Sequence, residues 1–276
     1  MLACIQEKIT FWVTFGVAIS IQVITNPASA QEIHASLCLH GCPNGSPMSN
    51  DLVIRDIYIL SNNDSTKFAD WVAYGVTNNT IGKSEDRNWK PDPWLSTDET
   101  LVPDDYKGAH AELNTDRGHQ APLASFTSTP DWEATNFLSN ITPQKSALNQ
   151  GVWVKLETRV RLLATSSPTD TVFVMTGPLY EREMPSLPGT DKSHVVPSGY
   201  WKIIATTKDG DIKIASFVFD QETERRAQIC DDRFITNVRT IEERTNLDFF
   251  HALSQDEQET LETGPSTLLM DLGCDP

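Results

Sequence analysis

Strand-like segments recur along this chain with no regular alternation of helices between them, which points to an α+β or irregular α/β/α domain rather than a parallel βαβ array. Leu52 to Leu60 (LVIRDIYIL), Ala69 to Val76, Thr171 to Met175, Tyr200 to Thr206 and Ile212 to Phe219 are rich in β-branched and aromatic residues. The clearest helix runs from Asn149 to about Ala164, where Val152, Leu156, Val160 and Leu163 form one apolar stripe and Ser166-Ser167-Pro168 ends it. A short helix is expected over Asp131 to Ser139. Thr240-Ile-Glu-Glu243 and Ser254-Gln-Asp-Glu257 fit the capping-box pattern that opens a helix. Thr77 to Lys107 is polar, carries several prolines and reads as a long excursion. No repeat or linker divides the chain, and 276 residues at 39% hydrophobic suffice for one sizeable core.

The first thirty residues stand apart. Phe11 to Ile24 is an apolar run of 14 residues, too short to span a bilayer. Pro27-Ala28-Ser29-Ala30 supplies an A-x-A pattern, so residues 1–30 are expected to be a signal peptide cleaved after Ala30, leaving 31–276 as a secreted domain with no membrane attachment. Export suits the cysteines. Cys4 leaves with the leader, and Cys38, Cys42, Cys230 and Cys274 remain. Three pairings are open, and closeness in sequence favours Cys38–Cys42 and Cys230–Cys274, worth about 2 and 4 kcal/mol on the chain-entropy model. A metal knuckle at Cys38-Leu-His-Gly-Cys42 lacks a second cluster of ligands.

Asp116-Arg117-Gly118-His119 places an arginine and a histidine two residues apart, on one face if the backbone is extended. A neutral imidazole can deprotonate water near pH 7, and a guanidinium can hold a phosphate oxygen. Gly118 permits close approach of a phosphate or an unusual backbone angle. Farther on come Asn140-Ile-Thr-Pro-Gln144, then Asn149, Glu157 and Arg161 on the long helix. On a straight helix Asn149 and Glu157 would lie about 12 Å apart along the axis and roughly 80° apart around it. They could hardly ligate one ion directly, but an amide oxygen on the ion and a carboxylate acting through water would suit Mg²⁺.

Together these residues closely resemble the DNA/RNA non-specific endonucleases of the secreted Serratia type, a ββα-metal (His-Me finger) family. The intervals from His119 to Asn140, to Asn149 and to Glu157 are 21, 9 and 8 residues, as in that family. Lys67-Phe-Ala-Asp-Trp-Val-Ala-Tyr74, Arg87-Asn-Trp-Lys90, Thr176-Gly-Pro-Leu-Tyr-Glu-Arg182 and Tyr200-Trp-Lys202 are similar too, so the likeness covers the chain beyond the leader with no departure at a motif position. It implies a central, mainly antiparallel sheet flanked by helices, and a sugar-non-specific enzyme that hydrolyses DNA and RNA to 5′-phosphate ends. His119 is then the general base, Asn149 the direct ligand of one Mg²⁺ (Mn²⁺ being the alternative ion), and Glu157 the carboxylate that holds the ion through water. Arg87 and Arg117 would grip the scissile phosphate, Asn140 and Arg161 would support the site, and the chain would pair as a homodimer. Both disulfides fit the family.

The net charge of −16 is unexpected for a polyanionic substrate. Screening confines that repulsion to roughly 8–10 Å at physiological salt, so a local arginine cluster can override it. His34, His40, His110, His194 and His251 show no metal-ligand spacing, and Trp71, Trp153 and Trp201 read as core. Asn63, Asn78 and Asn140 head formal glycosylation sequons, of which Asn140 is expected to stay unmodified. The competing reading is a catalytically silent nuclease-like protein that binds nucleic acid. A phosphoesterase of small substrates and a structural or adhesive protein are further alternatives.

Overall fold

The computed structural model describes residues 36–166 and 171–274; the expected leader and the Ser167-Pro168 stop lie outside them. One wholly antiparallel sheet has the order β1(Asp51–Ile54), β2(Ile59–Asn63), β3(Phe68–Val76), β6(Val172–Leu179), β7(Gly199–Lys208), β8(Asp211–Asp220) and β9(Ile235–Thr236). A separate antiparallel ribbon pairs β4(Thr115–His119) with β5(Ile141–Lys145). The helices are α1(Ala109–Leu113), a single turn α2(Ser146–Leu148), α3(Val154–Ser166), α4(Val238–Thr245) and α5(Gln255–Thr263).

Both faces of the sheet are buried, and the strand period of two shows in what each residue touches. Val72, Tyr74, Val174, Tyr200, Ile204, Phe217 and Phe219 pack with Trp153, Leu156 and Val160 at α3. Trp71, Ala73, Met175, Trp201 and Ile203 pack against Val238 and Ile241 of α4 and against Phe249 and Phe250. Strands covered on both sides carry no apolar/polar alternation, which is why they read as continuous apolar runs. Cys38–Cys42 and Cys230–Cys274 are both bonded, the second across 44 residues. Among the described residues no helix is long and apolar enough to cross a membrane.

Some expectations need correction. Leu52 to Leu60 is a hairpin rather than one strand: the Arg55 N–H donates to the Tyr58 carbonyl at 2.9 Å, and Ile54 faces Ile59. The reversal falls at Arg55-Asp56, where the Arg55 guanidinium turns aside to pair with buried Asp92. Helix α4 begins before Thr240, because the Asn237 side chain accepts the Thr240 N–H at 2.9 Å; Ser254 does form the expected capping box. The stretch after Asp131 is two short 3₁₀ turns, Trp132–Asn136 and Leu138–Asn140. Most consequential is the long helix, whose first turn, Asn149–Trp153, is widened and broken at Gly151 (φ −107°, ψ −117°) before α3 starts at Val154. A side chain at Gly151 would meet the Arg225 backbone at 2.9 Å, so the loop beyond β8 packs directly into the break.

Candidate active site

The ribbon sets the histidine. Pairing of Arg117 with Pro143 and His119 with Ile141 keeps β4 extended, so the two side chains share a face. Three contacts bolt the ribbon to the sheet. Tyr200 donates to the Pro143 carbonyl at 2.8 Å, Gln221 Nε2 donates to the same oxygen at 2.9 Å, and the Lys145 N–H donates to Gln221 Oε1 at 2.8 Å. Gly118 serves packing rather than a phosphate or an unusual φ: a Cβ there would sit 2.3 Å from Gln144 Oε1, whose side chain crosses the strand at that point.

A cavity of about 550 Å³ opens beside the ribbon, lined among others by Arg87, Arg117, His119, Asn149 and Glu157. His119 packs against Trp89, with ring centroids 5.1 Å apart, and its Nε2 lies 3.3 Å from Asn136 Oδ1. The Trp153 indole N–H donates to the His119 carbonyl at 3.3 Å, fixing the backbone below the ring. Burial pushes the imidazole down to about 4 and the charge of Arg87 adds to this, against the opposing Asn136 contact. His119 is therefore neutral at pH 7 and competent to accept a proton.

Arg117 donates through Nη2 to the Pro103 carbonyl at 2.8 Å, and its guanidinium lies 5.2 and 5.7 Å from the Tyr106 and Trp89 ring centres. Its buried Nε has no hydrogen-bond partner. Arg87 is exposed at the mouth. Asp116, in the same motif, gathers Asn149 Nδ2 at 3.0 Å and Gln150 Nε2 at 2.8 Å on one oxygen, and Ser146 and His110 on the other. Holding the amide nitrogen of Asn149 leaves its carbonyl oxygen for another partner. The break at Gly151 removes the straight-helix separation between Asn149 and Glu157, and both line one cavity.

Asn140 and Arg161 lie outside that lining. Asn140 is fully buried, donating to the Ala121 and Thr135 carbonyls and accepting the Ala121 N–H. It clamps the chain just beyond His119, and its burial leaves no room for a glycan. Arg161, one turn beyond Glu157, bonds Thr158 Oγ1 at 2.9 Å and leaves Nη1 buried without a partner.

Sequence reasoning assigned no role to Asp116, Trp89, Asn136 or Lys202. Lys202 is fully buried on the α3 face of β7, its Nζ 4.1 Å from the centre of the Trp153 ring and 3.4 Å from the Tyr74 hydroxyl. Burial raises Glu157 while the charge of Lys202, the largest opposing influence, holds it down; Lys202 itself is lowered to about 8 by burial. The clue was available: a lysine inside Tyr200-Trp-Lys-Ile-Ile, a strand apolar on both sides, must be paired. Asn136 and Trp89 fall in irregular stretches where no periodicity marks them.

A β-ribbon ending in a neutral histidine, followed by a helix whose carboxylate faces the same cavity, defines a nuclease of the ββα-metal class. The chain belongs to the DNA/RNA non-specific endonucleases, whose family model matches residues 40–256. It is 48% identical to the nuclease of Serratia marcescens over 238 residues, covering 86% of this chain and 88% of that protein. It is 28% identical to human mitochondrial endonuclease G over 221 residues, 74% of this chain and 71% of that protein. In fold it resembles the crystal structure of the EndoG/EndoGI complex, with a TM-score of 0.62 at 23% identity over 74% of this chain and 87% of that one.

Proposed function

We propose that the chain is a sugar-non-specific endonuclease, secreted as residues 31–276 after cleavage at Ala30, that hydrolyses DNA and RNA internally and leaves 5′-phosphate ends. The convergence of Arg87, Arg117, His119, Asn149 and Glu157 on one cavity carries this reading. A silent relative would be expected to have lost at least one of them. The homodimer rests on resemblance to relatives alone.

His119 acts as the general base. With Asn136 Oδ1 accepting from Nε2, the lone pair stays on Nδ1, ready to take a proton from the attacking water. Arg87 and Arg117 hold the non-bridging phosphate oxygens, and the unpaired Arg117 Nε adds a donor. These contacts read backbone rather than bases, so they impose no sequence preference.

The cavity suits a hard cation. Asn149 offers a carbonyl oxygen whose amide nitrogen is already held by Asp116, and Glu157 offers a buried carboxylate, which together fit Mg²⁺ (or Mn²⁺) bound directly by Asn149 and through water by Glu157. When bound, such an ion supplies charge stabilisation to the phosphate and the leaving 3′-oxygen.

The oxidised mature protein should nick and linearise closed-circular plasmid and degrade total RNA in Mg²⁺, and do neither in EDTA. Release of mononucleotides from ends only, or no cutting by well-folded protein, would overturn the proposal.

A further inference from the structure

Across the sheet from this cavity, three carboxylates converge on the α4–α5 corner. Glu242 projects from α4, Glu262 from α5, and Asp248 from the segment between them. One oxygen of each lies within 4.8 Å of the others. Oxygens about 2.4 Å from a shared ion cannot be more than about 4.8 Å apart, so this spacing is that of a coordination shell. Glu262 is completely buried and its Oε1 has no hydrogen-bond partner, while Asp248 is exposed and opens the group to water.

Arg239 is the positive charge at the corner. It reaches Glu242 Oε2 at 3.0 Å, Glu262 Oε2 at 2.8 Å and Glu259 at 2.6 Å. One guanidinium cannot neutralise three glutamates and Asp248, and it covers only one oxygen of each buried glutamate. The remaining oxygens are held in place: Glu242 Oε1 accepts the Phe249 N–H at 2.9 Å, and Asp248 Oδ1 accepts Gln258 Nε2 at 2.7 Å. A carboxylate oxygen has a second lone pair to offer after one such bond.

We propose that Glu242, Asp248 and Glu262 form a calcium site, separate from the nuclease cavity, that ties α5 to α4. Three carboxylates with no nitrogen or sulfur donor select a hard cation. Convergence of all three suits Ca²⁺, which takes six to eight oxygens in flexible geometry, over Mg²⁺, which keeps most of its water. Water entering beside Asp248 fills the remaining positions.

The test is calorimetric titration of CaCl₂ into the Asn149→Ala protein, which removes the proposed ligand of the active-site ion. One Ca²⁺ per chain is expected, with a dissociation constant of roughly 10⁻⁵–10⁻³ M. Adding Asp248→Asn, at an exposed position, or Glu262→Gln should weaken binding at least tenfold, with the circular dichroism spectrum unchanged. Asp248→Asn keeps the test valid if Glu262→Gln folds poorly. Absence of binding within that range, or binding that survives Asp248→Asn, would overturn the site, whatever the outcome of the cleavage assays.

Discussion

His119→Ala is expected to lower kcat/KM on plasmid DNA by about 10²–10⁴-fold, the usual contribution of a positioned base. The protein should still fold and bind substrate, because Arg87, Arg117 and the ribbon's attachments to Tyr200 and Gln221 do not involve the ring. The pH dependence is equally diagnostic. Burial and Arg87 hold the imidazole at about 4 instead of 6.5, so kcat/KM should stay on its plateau at pH 5.5, where an ordinary histidine would leave about a tenth of the activity. Stability has a definite sign. The folded-state value lies below the unfolded one, so between pH 6.5 and about 4 the unfolded chain binds the extra proton. This contribution is present above pH 6.5 and lost as pH falls through that window. An acid limb centred near pH 6.5, or activity that survives loss of the ring, would remove His119 from the mechanism.

The histidine was legible because its chemistry is compressed into a tetrapeptide and spaced from Asn149 and Glu157 in a recognisable way. The paired strands beneath it were not, since Thr115 to His119 and Ile141 to Lys145 are polar and proline-interrupted and take their conformation from each other. The break at Gly151 was hidden for a related reason. The apolar stripe from Val152 onward is genuine, with Val152, Leu156 and Val160 all buried, but periodicity cannot show that the Arg225 backbone would collide with any side chain at Gly151. Asn140 shows the reverse case. Its place in a motif suggested a role among the reacting groups, and its side chain is spent on three backbone bonds. Where a residue's role depends on a partner distant in sequence, as with Asn136 against His119, local pattern has nothing to report.

Lys202→Met should be the most damaging single change away from the cavity lining. Met matches the length of the lysine stem, so the loss is mainly one of charge. Glu157 then stays buried, without the positive group that most opposes its upward shift. Removing one partner of a buried pair typically costs about 3–5 kcal/mol, and the carboxyl can escape that cost by taking up a proton. A protonated Glu157 cannot hold water as a carboxylate does, and loss of such a supporting group costs about 10–100-fold in activity or metal affinity. Two readouts separate this from simple unfolding. Raising the pH re-ionises Glu157, so Lys202→Met should recover activity between pH 7 and 9 relative to wild type. The Glu157→Gln/Lys202→Met double variant should be no less active than Glu157→Gln alone, because the lysine acts through that carboxylate. Independent, multiplicative losses would instead mean that Lys202 serves the core through its contacts with Trp153 and Tyr74 and has no hold on the chemistry.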